Sequence, residues 1–236
     1  AAEGGGAVAL AGVSVGATVA LLAAERPELA GRATLVAGIA PYADLVDVIR
    51  AATTATTAAD GGPRRFRPDP FVGLVVARSL LAGLPAGAAR DELLDRLRRV
   101  HPDADAPLGA LEGWPRPEGG GALPAVLDLL ANRDPERFEA LYARLPEDVR
   151  RRIDGLSPIH AAARIEAPVE LASAPRDKYF PLAHSRALAA AVPRGRLTVT
   201  RTLDHAIPAA DLDDLRDLGR FYGFLVRSLD TALRGR

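Results

Sequence analysis

The chain contains neither cysteine nor methionine, and only 5% of its 236 residues are aromatic. Without cysteine there is no disulfide framework and no thiolate metal site, and the redox compartment stays open. Without methionine there is no initiator residue, so the chain reads as a processed or truncated product that begins just upstream of its first strand. A surplus of one charge is missing too, since 30 basic residues face 30 acidic ones. No global positive field exists to hold nucleic acid or an anionic membrane, and neither is expected as a partner. Histidine is scarce, four residues with no H-x-x-x-H pair, so no metal site is expected. One charge-free stretch, Ala7 to Ala24, is long enough to consider as a membrane span. Its central glycines and its lack of flanking basic or aromatic anchors favour a buried strand followed by a buried helix.

What is present is an apolar inventory, 48% of the chain, sufficient for one substantial core with a subdomain inserted into it. Ala7–Ala11 and Ala33–Ala40 are apolar runs of strand length with the helical pattern Ala17–Ala24 between them, which makes a βαβ unit and a parallel sheet covered on both faces. Strand signals then stop. Residues 42–156 read as helices separated by Pro/Gly-rich loops: Asp44–Ala58, Pro70–Ala82, Ala88–Val100, Ala122–Ala131, Pro135–Arg144 and Glu147–Ile153. The loops Asp60–Asp69 and Pro102–Gly121 are expected to be the least ordered parts. Strand patterns return at Pro168–Ala174 and Arg196–Leu203, with a helix at His184–Ala191 between them. A last helix spans Leu212 to Leu233, and its stripe of Leu212, Leu215, Leu218, Phe221, Leu225 and Leu229 is expected to face the sheet. The fold class is therefore α/β, with a core from residues 1–41 and 157–236 and a helical insertion at 42–156. Open sheets of this kind carry their sites at the carboxyl ends of the strands.

Three such ends hold suggestive chemistry. After the first strand comes Gly12-Val13-Ser14-Val15-Gly16, a G-x-S-x-G sequence between a strand and a helix, the context of a nucleophile elbow. Gly12 and Gly16 are expected where the turn leaves no room for a Cβ. After the third strand comes Asp177, followed by Lys178-Tyr179-Phe180-Pro181, and after the fourth comes His205. A serine hydroxyl is a poor nucleophile at neutral pH and needs a base, histidine suits that task, and a buried carboxylate can orient the histidine. Asp44, after the second strand, is a backup acid. Asp204 is a poor one, because neighbouring side chains in an extended segment diverge. His101, His160 and His184 follow no strand and read as structural or solvent-facing. Phe66, Phe71, Trp114, Phe138 and Tyr142 read as core of the helical segment, with pocket lining as their second use, and Arg64, Arg65 and Arg67 as a solvated loop.

On these residues the chain resembles the α/β-hydrolase superfamily: GVSVG at the elbow, Asp177 in a D-x-x-[apolar]-P setting, His205 in a D-H loop, all in the order Ser, Asp, His. The resemblance implies an α/β-hydrolase-like sheet truncated at its N-terminus, with residues 42–156 as a helical lid. It implies Ser14 as nucleophile, His205 as base, Asp177 as orienting acid and the Val15 N–H as one oxyanion donor. The second donor would come from a loop preceding Ala1. The expected reaction is hydrolysis of a carboxylic ester, on a small-molecule acyl substrate and without metal or organic cofactor. The alternatives are a prolyl-oligopeptidase-like peptidase and a non-catalytic binding protein of the same fold.

Overall fold

A computed structural model describes residues 6–58, 62–115, 121–205, 207–208 and 215–234. In chain order, β1 (Val8–Val13) leads into α1 (Val15–Ala24), and β2 (Ala33–Ile39) follows. Next come α2 (Leu45–Thr54), a two-residue ladder of β3 (Thr56–Thr57) with β4 (Arg64–Arg65), and the helices α3 (Pro70–Ala82), α4 (Ala88–Arg98), α5 (Ala122–Ala131), α6 (Phe138–Ala143) and α7 (Glu147–Asp154). The chain then forms β5 (Val169–Ser173), α8 (Leu182–Ala191), β6 (Gly195–Val199), a small hairpin of β7 (Leu203–Asp204) with β8 (Ile207–Pro208), and α9 (Leu215–Arg234). It divides into two compact units, Ala1–Asp44 with Leu156–Arg236, and Leu45–Gly155.

The first unit is built on a sheet of order β1-β2-β5-β6, parallel throughout. Each crossover needs a helix, and α1 and α8 supply two of them on one face. Leu21, Val36, Val169, Leu171 and Leu188 form the core there. The other face holds a smaller cluster of Ala172, Ala174, Leu203 and Phe224, closed by α9. All five residues of β5 are buried, as a strand flanked on both edges and covered on both faces should be. In β1, at the sheet's edge, partly buried and exposed residues alternate. Because Val13 pairs with Ile39 and Ser173 with Val199, the strands end nearly level, and the loops after them emerge on one side.

In this unit two sequence expectations are corrected. The strand pattern at Arg196–Leu203 is not one strand: β6 stops at Val199, because the Thr200 hydroxyl donates to the Asp217 carbonyl and accepts from the Thr202 amide, turning the chain. The sheet-facing side of α9 is also not the expected leucine stripe. Asp217, Phe224 and Ser228 are buried, whereas Leu215, Leu218, Leu225 and Leu229 are exposed, and Leu212 lies outside the described residues. Polar anchors set this rotation. Arg227 reaches across to Glu170 on β5 (3.1 Å) and to Thr198 on β6 (2.9 Å), and Asp217 accepts from the Arg201 amide (3.0 Å).

In the second unit α3 packs on α4 and α5, burying Leu74, Leu81, Leu93, Leu97 and Leu129 completely. Arg78 donates to the Leu97 carbonyl at the end of α4 (2.6 Å), a cation where the helix exposes unpaired carbonyls. Asp134 caps the next turn through the Glu136 amide (2.9 Å), as its position before a proline suggests. The expected helix from Pro135 to Arg144 is a 3₁₀ turn, Pro135–Arg137, followed by α6. Residues 59–61 and 116–120, within the two long loops, lie outside the described residues.

Candidate active site

Ser14 stands between β1 and α1 and takes part in both. Its amide donates to the Ile39 carbonyl (2.7 Å), continuing the sheet ladder, while its own carbonyl accepts from the Ala17 (2.9 Å) and Thr18 (3.2 Å) amides and opens the helix. So abrupt a change of direction puts Ser14 at φ 54° and ψ −127°, a region costly for a residue with a Cβ. Space for the turn comes from Gly12, where a Cβ would sit 2.2 Å from the Gly16 carbonyl oxygen. Gly16 itself faces open space, so the expected crowding holds at the first glycine of the motif and not at the second. A serine preceding a helix commonly accepts a bond from the first-turn amides, but the Ser14 side chain makes no such cap. Its Oγ points instead to His205 Nε2, at 2.8 Å.

The loop after β5 holds the acid. Asp177 is buried, with its side chain 1% exposed. One carboxylate oxygen, Oδ1, accepts from the Tyr179 (2.8 Å) and Phe180 (3.0 Å) amides, so the loop folds back on its own aspartate. The other, Oδ2, lies 2.7 Å from His205 Nδ1. Since a carboxylate only accepts, Nδ1 carries the hydrogen, and Nε2 is left to accept the Ser14 hydroxyl proton. His205 follows β7 and is buried, at φ 55°. The three residues singled out in the sequence are thus brought into one hydrogen-bonded line, Ser14–His205–Asp177, spanning positions 191 and 28 residues apart.

The other candidates fall elsewhere. Asp44 accepts from the Ser157 hydroxyl (3.3 Å), and Asp204 is exposed. His101 and His160 are exposed. His184 is buried on α8 and accepts from the Ala43 amide (3.1 Å), holding the segment after β2. Among the described residues no group of three or more His, Asp or Glu side chains is placed to hold a metal ion. No described helix is long and apolar enough to cross a membrane. Val15 is the first residue of α1, where no earlier turn exists to take its N–H.

Sequence reasoning gave no role to the rings around the histidine. Tyr179 lies 4.4 Å from the His205 ring, centroid to centroid, and Phe180 lies 5.7 Å away at 69°. Tyr42, in the segment after β2, meets Phe180 at 5.4 Å and 67°. That segment is fixed by Thr18, whose hydroxyl accepts from the Tyr42 amide (3.1 Å) and donates to the Tyr42 carbonyl (3.2 Å). Burial pushes the Tyr42 phenol up to about 12, so it stays neutral. The signal available was only that Tyr179 and Phe180 immediately follow the acid.

No protein family model matches the chain, and no curated protein matches it. Among solved structures it is similar to an alpha/beta fold family hydrolase from Bacillus anthracis str. Sterne, with a TM-score of 0.43 and 11% identity over 94% of this chain and 67% of that one.

Proposed function

We propose that the chain is a serine hydrolase of α/β-hydrolase type that cleaves a carboxylic ester through an acyl-enzyme, with residues 42–156 as its lid. The observation that carries this reading is the unbroken line Ser14 Oγ–His205 Nε2 at 2.8 Å and His205 Nδ1–Asp177 Oδ2 at 2.7 Å, on loops after parallel strands. His205 takes the Ser14 proton as Oγ attacks the ester carbonyl, and the imidazolium is stabilised by the Asp177 carboxylate. The tetrahedral oxyanion is held by the Val15 N–H at the positive end of α1. Collapse expels the alcohol, which takes the proton from His205. Water, deprotonated in turn by His205, attacks the acyl-serine and releases the acid with Ser14 regenerated. The fixed tautomer and the strained, uncapped serine both support this reading, since they place Nε2 and Oγ for the transfer in advance.

The test is covalent labelling with a fluorophosphonate, which reacts only with an activated serine. Wild-type chain should be labelled and should release p-nitrophenol from short-chain p-nitrophenyl esters. Ser14→Ala should lose the label and at least about a thousandfold of the rate. Absence of label on wild type rejects the proposal.

A further inference from the structure

We propose that Tyr179 is a positioning residue for His205, holding the imidazole through its ring and stabilising the imidazolium that forms when the histidine takes a proton. The inference rests on the catalytic reading above for its kinetic consequence, but on geometry alone for its location. Among the described residues Tyr179 and His205 form a close ring pair, with centroids 4.4 Å apart and planes tilted by 43°. That distance is within the reach over which a cation is attracted by an aromatic ring's quadrupole, the more so when desolvated. His205 is only 8% exposed, so its charged form has little water to rely on.

Tyr179 is itself rigidly placed, because its amide donates to the same Asp177 carboxylate (2.8 Å) that bonds His205 Nδ1. One turn of chain therefore supplies two supports for the base, a carboxylate in the plane of the imidazole and an aromatic ring against it. The support is needed because His205 sits at φ 55°, where its own backbone does not favour the conformation. Phe180 packs at 69° to the imidazole, and Tyr42, at 67° to Phe180, backs that second ring. Among the described residues, the polar and charged groups that bear on the imidazole are the Asp177 carboxylate on Nδ1, the Ser14 hydroxyl on Nε2, and Lys178. The Lys178 Nζ lies 5.2 Å from the Tyr179 ring centre and competes for its π-cloud.

Shape and electrostatics separate with two isosteric rings at position 179: Tyr179→Phe keeps the quadrupole, and pentafluorophenylalanine inverts it. The Phe variant should hold kcat on p-nitrophenyl acetate within about twofold, and the fluorinated ring should lower it about fivefold to tenfold with KM within about twofold. In the Ser14→Ala background, NMR titration of the His205 imidazole needs no turnover. Its midpoint should move to lower pH by about half a unit with the fluorinated ring and stay in place with Phe. Equal behaviour of the two rings overturns the proposal, as does a fall in kcat without movement of the midpoint. If wild type hydrolyses no ester, the catalytic reading fails, and the midpoint alone still decides the assignment of Tyr179.

Discussion

Asp177 has four lone-pair sites and uses its two oxygens for different ends: Oδ1 takes the two loop amides and Oδ2 takes the imidazole. The two amide bonds fold the loop around the carboxylate, but what made this aspartate legible in the sequence was its residue type and its place after a strand. Ser14 and His205 were legible for the same reason, since their chemistry demands a partner and their positions follow strands. The glycines of the elbow were only half legible, because a motif letter records which residue is present and not which direction its Cβ would take. At Gly12 that direction runs into the Gly16 and Ala17 backbone, at 2.2–2.5 Å, and at Gly16 it runs into nothing within 4 Å. Gly12→Ala should therefore destabilise the chain by about 3 kcal/mol and displace Ser14. Gly16→Ala, a helix-favouring change in the first turn of α1, should alter stability by no more than about 1 kcal/mol, in the stabilising direction. Urea denaturation of the two variants checks both, and equal losses would contradict the geometry.

Among the elements, the strands at the core were legible and the rotation of the last helix was not. Mostly apolar runs such as β2 have few ways to be buried, whereas α9 offers two competing faces, one rich in leucine and one bearing Asp217, Phe221, Phe224 and Arg227. Periodicity selects the leucines. The fold selects the other face because β5 carries Glu170, buried in the middle of the sheet, and a buried carboxylate requires a cation. Arg227 supplies it with contacts of 3.1 Å from both Nε and Nη2, and Arg196 stands at 3.8 Å. Arg227→Ala should cost about 3 kcal/mol, mostly from the charge left behind. The pair Glu170→Leu with Arg227→Leu should recover to within about 1 kcal/mol of wild type, because it removes both charges together. A thermal-denaturation cycle of the two single variants and the pair measures the coupling, and additive losses would show that the ion pair does not set the helix.

For the molecule as a whole, 30 basic and 30 acidic residues cancel, so the pH dependence of its stability falls to individual groups and not to a net field. Two of them act in opposite senses. The Arg201 amide, with Arg220 and Arg201 nearby, holds the Asp217 carboxyl below its ordinary value. Its contribution is complete above that ordinary value and is lost as pH falls through the lower, folded one. Glu25, at the end of α1, is pushed up to about 7 by burial, against the pull of Arg164, and its Oε1 finds no hydrogen-bond partner among the described residues. The folded chain binds that proton more tightly than the unfolded one, so stability falls as pH rises from about 4.5 through about 7. Because the group is only half-buried, the loss amounts to about 1 kcal/mol after solvent screening. Stability should accordingly peak near pH 5, and Glu25→Gln should flatten the alkaline side, raising stability at pH 8 by about 1 kcal/mol while changing little at pH 4.5. Melting temperatures of the two proteins across pH 4–8 decide the matter: parallel curves would mean that Glu25 does not carry the dependence.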